Sequence, residues 1–172
     1  MANAWAFSAS AQWGWRSPSG PIWLRHARQL PQPHTTPGCA YAWYDSPRHL
    51  AEAVDILVVA TPGGANTRHL VDAHVLQALG AEGYLVNIAR ASVVDTQALI
   101  AVLQRGQLAG AALDVFDDEP AVPDALKALP NTVLTPHVAG QSPEAARDTV
   151  ALVLRNLQAF FAGEPVLTPV RP

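Results

Sequence analysis

The run Asp55-Ile-Leu-Val-Val-Ala60 leaves little choice of fold. It is continuously apolar and rich in β-branched residues, with no alternate polar position to turn towards water. It therefore reads as a strand covered on both faces, as strands are in parallel sheets flanked by helices. Thr61-Pro62-Gly63-Gly64 breaks the run. Further strands are expected at Tyr84 to Ile88, at Ala109 to Val115, which is lined by small residues, and over the short stretch Thr132 to Thr135. Helices are expected between them. Ser46-Pro47 is an N-cap followed by proline at the first helical position, leading into a short helix through Val54. Asp72 to Leu79 is a helix closed by Gly80, and Asp95 caps another that carries Leu99, Ile100, Val102 and Leu103 and ends at Gly106. A long helix runs from Pro143 to Phe161 with Val150, Val153, Leu154, Leu157 and Phe161 on one face. Strands alternating with helices imply right-handed crossovers, hence an α/β fold with a partial doubly wound, Rossmann-type parallel sheet and a long C-terminal helix.

Residues 1–39 do not follow this pattern. Neither a period of 2 nor one of 3.6 persists there, and Pro18, Pro21, Pro31, Pro33 and Pro37 punctuate the stretch. Residues 1–44 hold no Asp, Glu or Lys and carry +3 from Arg16, Arg25 and Arg28, whereas the remainder carries −6; all five Trp lie at or before Trp43. The expected division is an irregular, strandless segment over 1–39, either disordered or a wrong-frame translation, followed by half of a nucleotide-binding domain with its C-terminal helix and tail over 40–172.

Bulk properties narrow the function classes. With 49% apolar and 15% charged residues in 172, the chain has the composition of a globular domain. Mild acidity from Asp45 onward gives no reason to expect nucleic acid as a partner. No apolar run approaches the roughly 18–20 residues of a membrane span, and the opening residues lack the basic region of a signal peptide. Cys39, the single cysteine, excludes an intramolecular disulfide and fits a reducing cytoplasm. His26, His34, His49, His69 and His74 show no ligand-like spacing, so no metal site is expected.

Chemistry concentrates in three short runs where expected strands end: Asn87-Ile-Ala-Arg-Ala-Ser-Val-Val-Asp95, Asp114-Val-Phe-Asp-Asp-Glu-Pro120 and Thr135-Pro-His-Val-Ala-Gly140. Arg90 is always charged and offers a planar fork of donors matched to a carboxylate. His137 has an ordinary pKa of about 6.5 and can hold or release a proton near neutrality. Glu119, if it contacts the imidazole, would favour its protonated form and fix the ring. Taken singly, each has a plainer alternative: Arg90 a surface arginine, Glu119 a solvated acid beside Asp117 and Asp118, and His137 a structural histidine after proline. A cation, a carboxylate and a titratable base together at successive strand ends are what polarising and protonating a carbonyl requires.

From Asp45 to Val170 the chain resembles the D-isomer-specific 2-hydroxyacid dehydrogenases, in the second half of their nucleotide-binding domain. The motifs are Asn87-x-x-Arg90 with Val94-Asp95, Asp114-Val-Phe-x-x-Glu119-Pro120 and Thr135-Pro136-His137, in order and in register. The resemblance implies NAD- or NADP-dependent reduction of a small 2-oxo acid to the 2-hydroxy acid. It implies Arg90, Glu119 and His137 as catalytic residues, with Arg90 on the substrate carboxylate and carbonyl and His137 as proton donor. It also implies a cofactor lining of Thr61, Pro62, Thr67, Ile88, Ala89, Arg90, Asp114, His137 and Gly140, and a homodimer. Thr61-Pro-Gly-Gly64 and Gly163-Glu-Pro-Val-Leu-Thr-Pro-Val170 are similar to the glyoxylate/hydroxypyruvate reductase branch. Ala91 departs from the glycine usual after the catalytic arginine. Gly14, Gly20 and Gly38 do not form the Gly-x-Gly-x-x-Gly loop that a dinucleotide pyrophosphate needs, and the family's substrate domain is not in the sequence. The expectation is a truncated family member, with a non-catalytic remnant or partner-binding fragment as the alternative.

Overall fold

Asp72, Asp95 and Ser142 each sit one residue before a helix, and all three side chains accept bonds from the first free backbone amides; of these caps the sequence leads one to expect Asp95. These caps come from a computed structural model that describes residues 5–8, 27–29, 44 and 46–170. In chain order the elements are β1 (Trp5–Ser8), β2 (Ala27–Gln29), α1 (Pro47–Ala51), β3 (Ile56–Val59), α2 (Ala73–Leu79), β4 (Tyr84–Asn87), α3 (Thr96–Gln104), β5 (Gly110–Leu113), α4 (Asp124–Lys127), β6 (Thr132–Leu134) and α5 (Pro143–Phe161). The six strands form one parallel sheet in the order β2-β1-β3-β4-β5-β6. This is the doubly wound arrangement: the winding reverses between β1 and β3, and ligands of such sheets bind at that reversal, beyond the carboxyl ends of the strands.

The expectation of a strandless segment over 1–39 is corrected at two places. Trp5–Ser8 pairs in register with Ile56–Val59, and Ala27–Gln29 pairs with Trp5–Phe7. Neither run carries the Val and Ile that mark β3, a strand of the same length as β1. Ala27-Arg-Gln29 also has no β-branched or aromatic residue, so pairing, rather than propensity, makes it a strand. The rest of that stretch, including Gly14, Gly20, Gly38 and Cys39, lies outside the described residues.

Leu50, Leu57, Leu76, Leu85, Leu99, Leu108 and Leu126 are fully buried and fill the core beside Val59, Val71 and Val93. Small residues in β5 have a packing reason. A Cβ on Gly110 would stand 2.9 Å from the carbonyl oxygen of Asn131 and 3.3 Å from the Tyr84 ring. The first helix stops at Ala51, earlier than the expected Val54, and α4 is a single turn that no sequence period announces.

Above the carboxyl ends of β3 and β4 the two following loops are joined. Val71 and Val94 form an isolated parallel bridge, with Val71 N–H donating to Val93 O at 3.0 Å and Asp95 N–H to Val71 O at 3.0 Å. His69 N–H adds a bond to Ser92 O at 2.8 Å.

The chain divides into two units, Met1–His137 and Val138–Pro172. In the second, Asn156 pins the tail to α5: its Nδ2 donates to Thr168 Oγ1 at 3.0 Å and its Oδ1 accepts from Thr168 N at 3.1 Å. Val150, Val153, Leu154, Leu157 and Phe161 of α5 are exposed. Among the described residues no helix is long and apolar enough to cross a membrane.

Candidate active site

Asn87 ends β4 with its side chain 1% exposed, and it folds the next three residues around itself. Its Oδ1 accepts from Ala89 N at 3.0 Å and its Nδ2 donates to Arg90 O at 3.1 Å. The amide of Ile88 donates to Val59 O, so this loop is anchored to β3 as well. Arg90 is thereby carried out of the sheet on a fixed backbone. Its side chain is exposed, with Nη1 donating to Ala89 O at 2.7 Å.

Asp114 follows β5 and is 4% exposed, its backbone amide donating to Asn87 O. Thr135, one residue past β6, donates its hydroxyl to Asp114 Oδ1 at 2.5 Å. A charge-assisted bond of this kind holds a carboxylate that has little access to water. The loop beyond Asp114 turns back so that Glu119 Oε1 accepts from Phe116 N at 2.9 Å. Its other oxygen, Oε2, meets His137 Nδ1 at 2.8 Å. Both contacts hold the Glu119 carboxyl below its ordinary value of 4.5, the His137 hydrogen bond most and the Phe116 amide next. With Nδ1 turned to Glu119, the imidazole has Nε2 left to face a reactant. His137 itself has φ +56°, a left-handed backbone that costs a non-glycine residue about 1–2 kcal/mol. Such strain persists where the surroundings over-determine it, often at reacting positions.

β4, β5 and β6 are consecutive in the sheet, so Arg90, Glu119 and His137 all emerge from the same edge. The structure brings Glu119 and His137 into contact. Among the described residues, no hydrogen bond or ion pair joins Arg90 to either of them.

The remaining expected residues lie as follows. Thr61 follows β3 at the reversal of the sheet, is 6% exposed, and its hydroxyl oxygen has no hydrogen-bond partner among the described residues. Pro62 is exposed beside it. Thr67 donates to Pro62 O at 2.8 Å and so closes the 62–67 loop on itself. Ile88 is exposed and Ala89 buried. Gly140 belongs to the second unit. Sequence reasoning missed Thr135 as the partner of Asp114 and the Phe116 amide as the anchor of Glu119, because both bonds depend on how loops turn. Among the described residues no group of three or more His, Cys, Asp or Glu is placed to hold a metal ion.

A parallel sheet that reverses its winding, with a buried carboxylate and a carboxylate–imidazole pair at the mouth of adjoining strands, defines a nucleotide-binding α/β domain with acid–base equipment. Residues 26–139 match the family described as D-isomer specific 2-hydroxyacid dehydrogenase, NAD binding domain, and the chain belongs to that family. It is 50% identical over 134 residues to glyoxylate/hydroxypyruvate reductase A HPR2 of Arabidopsis thaliana, a match covering 78% of this chain and 43% of the relative. Hydroxyphenylpyruvate reductase of Plectranthus scutellarioides is 46% identical over the same length and with the same coverage. Among solved structures, the NADPH-dependent glyoxylate/hydroxypyruvate reductase of Sinorhizobium meliloti, in complex with NADP and malonate, superposes with a TM-score of 0.81 at 37% identity. That superposition covers 98% of this chain and 53% of the other. The chain thus spans less than half the length of these curated relatives.

Proposed function

We propose that this chain forms the nucleotide-binding and proton-transferring half of an NAD(P)-dependent reductase acting on a small 2-oxo acid of the glyoxylate or hydroxypyruvate type. The observation that carries the reading is the Glu119–His137 pair at 2.8 Å, on the same sheet edge as Arg90. Arg90 receives the substrate carboxylate on its fork of N–H groups. Protonated His137 gives its Nε2 proton to the carbonyl oxygen as that oxygen gains charge, and Glu119 stabilises the imidazolium until then. The neutral ring regains a proton from water afterwards.

The nicotinamide dinucleotide, when bound, supplies the hydride that completes the 2-hydroxy acid. The residues present fit such a group at its nicotinamide end. Thr61 offers a buried hydroxyl with no partner among the described residues, and Asp114 a buried carboxylate held by Thr135. Thr61, Pro62, Thr67, the backbone of Ile88 and Ala89, and Asp114 would hold it. The pyrophosphate end of such a ligand sits after β1, where residues 9–26 lie outside the described residues and carry no Gly-x-Gly-x-x-Gly.

A steady-state assay of the purified chain, following NAD(P)H absorbance with glyoxylate, tests the reading. Turnover above that of an Arg90→Ala control supports it, and turnover equal to the control rejects it. Removing charge-assisted bonds of about 1.5–3 kcal/mol predicts a loss in kcat/KM of roughly 10- to 100-fold in that variant.

The exposed apolar face of α5 favours a second reading, a non-catalytic fragment that binds a partner through that face. Saturable NADH binding by a cooperatively folding monomer, seen by fluorescence, calorimetry and size exclusion, would argue against it.

A further inference from the structure

Arg90 lays the root of its side chain against the backbone of Gly63, in the loop that follows β3. A Cβ placed on Gly63 would stand 2.8 Å from Arg90 Cγ and 3.2 Å from Arg90 Cβ. Carbon atoms pack at about 3.5–4.0 Å, so a side chain there cannot coexist with the present path of Arg90. The atoms met belong to the base of the arginine, so rotating its far end relieves nothing. Either χ1 of Arg90 changes or the 61–67 loop moves.

The neighbouring glycine shows a different requirement. Gly64 has φ +155°, a backbone setting that L side chains rarely adopt, and a Cβ there would meet nothing within 4 Å. Gly63 has no such backbone setting. Its lack of a side chain is explained by space, and the space is filled by Arg90. The backbone of Arg90 is meanwhile fixed by Asn87 and cannot retreat freely.

We propose that Gly63 is a positioning residue for the carboxylate-binding cation. The lane it leaves open sets the direction in which the guanidinium leaves the sheet edge, and hence where a 2-oxo acid carboxylate is received. The proposal rests on the reading of Arg90 as the carboxylate clamp. A side chain at position 63 re-aims that clamp without touching the acid–imidazole pair.

The test compares Gly63→Ala with Ala65→Ser in the full chain. The first readout is the rate at which phenylglyoxal modifies Arg90, measured by peptide mass spectrometry against Arg105 as internal reference. Gly63→Ala is expected to change the Arg90 rate several-fold, because the contact of Nη1 with Ala89 O is lost, while Ala65→Ser, an exposed change in the same loop, leaves it unchanged. No change in Gly63→Ala, or the same change in both variants, overturns the proposal. The second readout is the thermal midpoint with and without the arginine stem. Gly63→Ala lowers the midpoint when Arg90 is present and does so much less in an Arg90→Ala background; equal losses in both overturn it. The third is a split in the kinetics: KM for glyoxylate rises roughly tenfold or more in Gly63→Ala with NADPH affinity unchanged. Absence of turnover in the unsubstituted chain defeats the reductase reading, and the modification and melting comparisons still decide the role of Gly63.

Discussion

Glu119 Oε2 meets His137 Nδ1 at 2.8 Å across 18 positions of sequence, and the other oxygen of the same carboxylate is tied to the Phe116 amide. The acid is held at both oxygens, so it can neither swing away from the imidazole nor rotate its plane without giving up a second bond. That restraint orders the ring more than it stabilises the fold, because the pair is open to solvent, with side chains 36% and 48% exposed.

Two substitutions separate proton transfer from ring orientation. His137→Ala is expected to lower kcat by about 10²- to 10⁴-fold, the usual contribution of a positioned acid or base. Glu119→Gln keeps the shape and a hydrogen-bonding oxygen but removes the charge, so a smaller loss is expected. Steady-state kinetics with glyoxylate and NADPH measure both; a Glu119→Gln variant as impaired as His137→Ala would mean that Glu119 does more than hold the ring.

The acid limb of the pH response has a definite sign. Glu119 is lowered in the folded chain from its ordinary value of 4.5, first by His137 and then by the Phe116 amide. Its contribution is therefore complete above about 4.5 and is lost as pH falls through the lowered folded value. A carbon-13 NMR titration of the Glu119 carboxyl should show a midpoint below 4.5 that rises in His137→Ala. A midpoint unaffected by that substitution would contradict the pairing.

Thr135→Val removes the hydroxyl that donates to Asp114 Oδ1 while keeping the shape of the side chain. Losing a bond to a buried charge costs about 1–3 kcal/mol. A lower thermal midpoint and weaker NADH binding, followed by fluorescence, are the expected results. Thr135→Ser should restore most of both.

Helix caps and core side chains can be ranked in one urea series. Asp95→Ala should cost about 1 kcal/mol, since Asp95 accepts from the amides of Gln97 and Ala98. Leu85→Ala, in the middle of the sheet and fully buried, should cost about 2–5 kcal/mol. Equal midpoints for the two would mean that the sheet is packed more loosely than its burial indicates.

The sequence made the central strands legible because β3, buried at Leu57, Val58 and Val59, has no alternation to confuse with an edge strand. Ser46 and Asp95 announced helix starts through the chemistry of their own side chains. Glu119 and His137 could be paired in advance only through the family motif. The Phe116 and Thr135 contacts could not, since side-chain bonds to loop backbone or to a neighbouring strand have no sequence period. β1 and β2 escaped notice for a different reason: β1 is as long as β3 and β2 as long as β6, but neither contains a β-branched residue, and prolines punctuate the sequence around β2.

The Val71–Val94 bridge fastens the loop that bears Gly63 to the loop that bears Arg90. The two loops are thereby tied to each other by backbone hydrogen bonds at a point several residues beyond Gly63 and Arg90 themselves. Leu70, packed against the core, and Asp72, the cap of α2, flank that tie, so the brace between the two loops is itself anchored to the body of the domain.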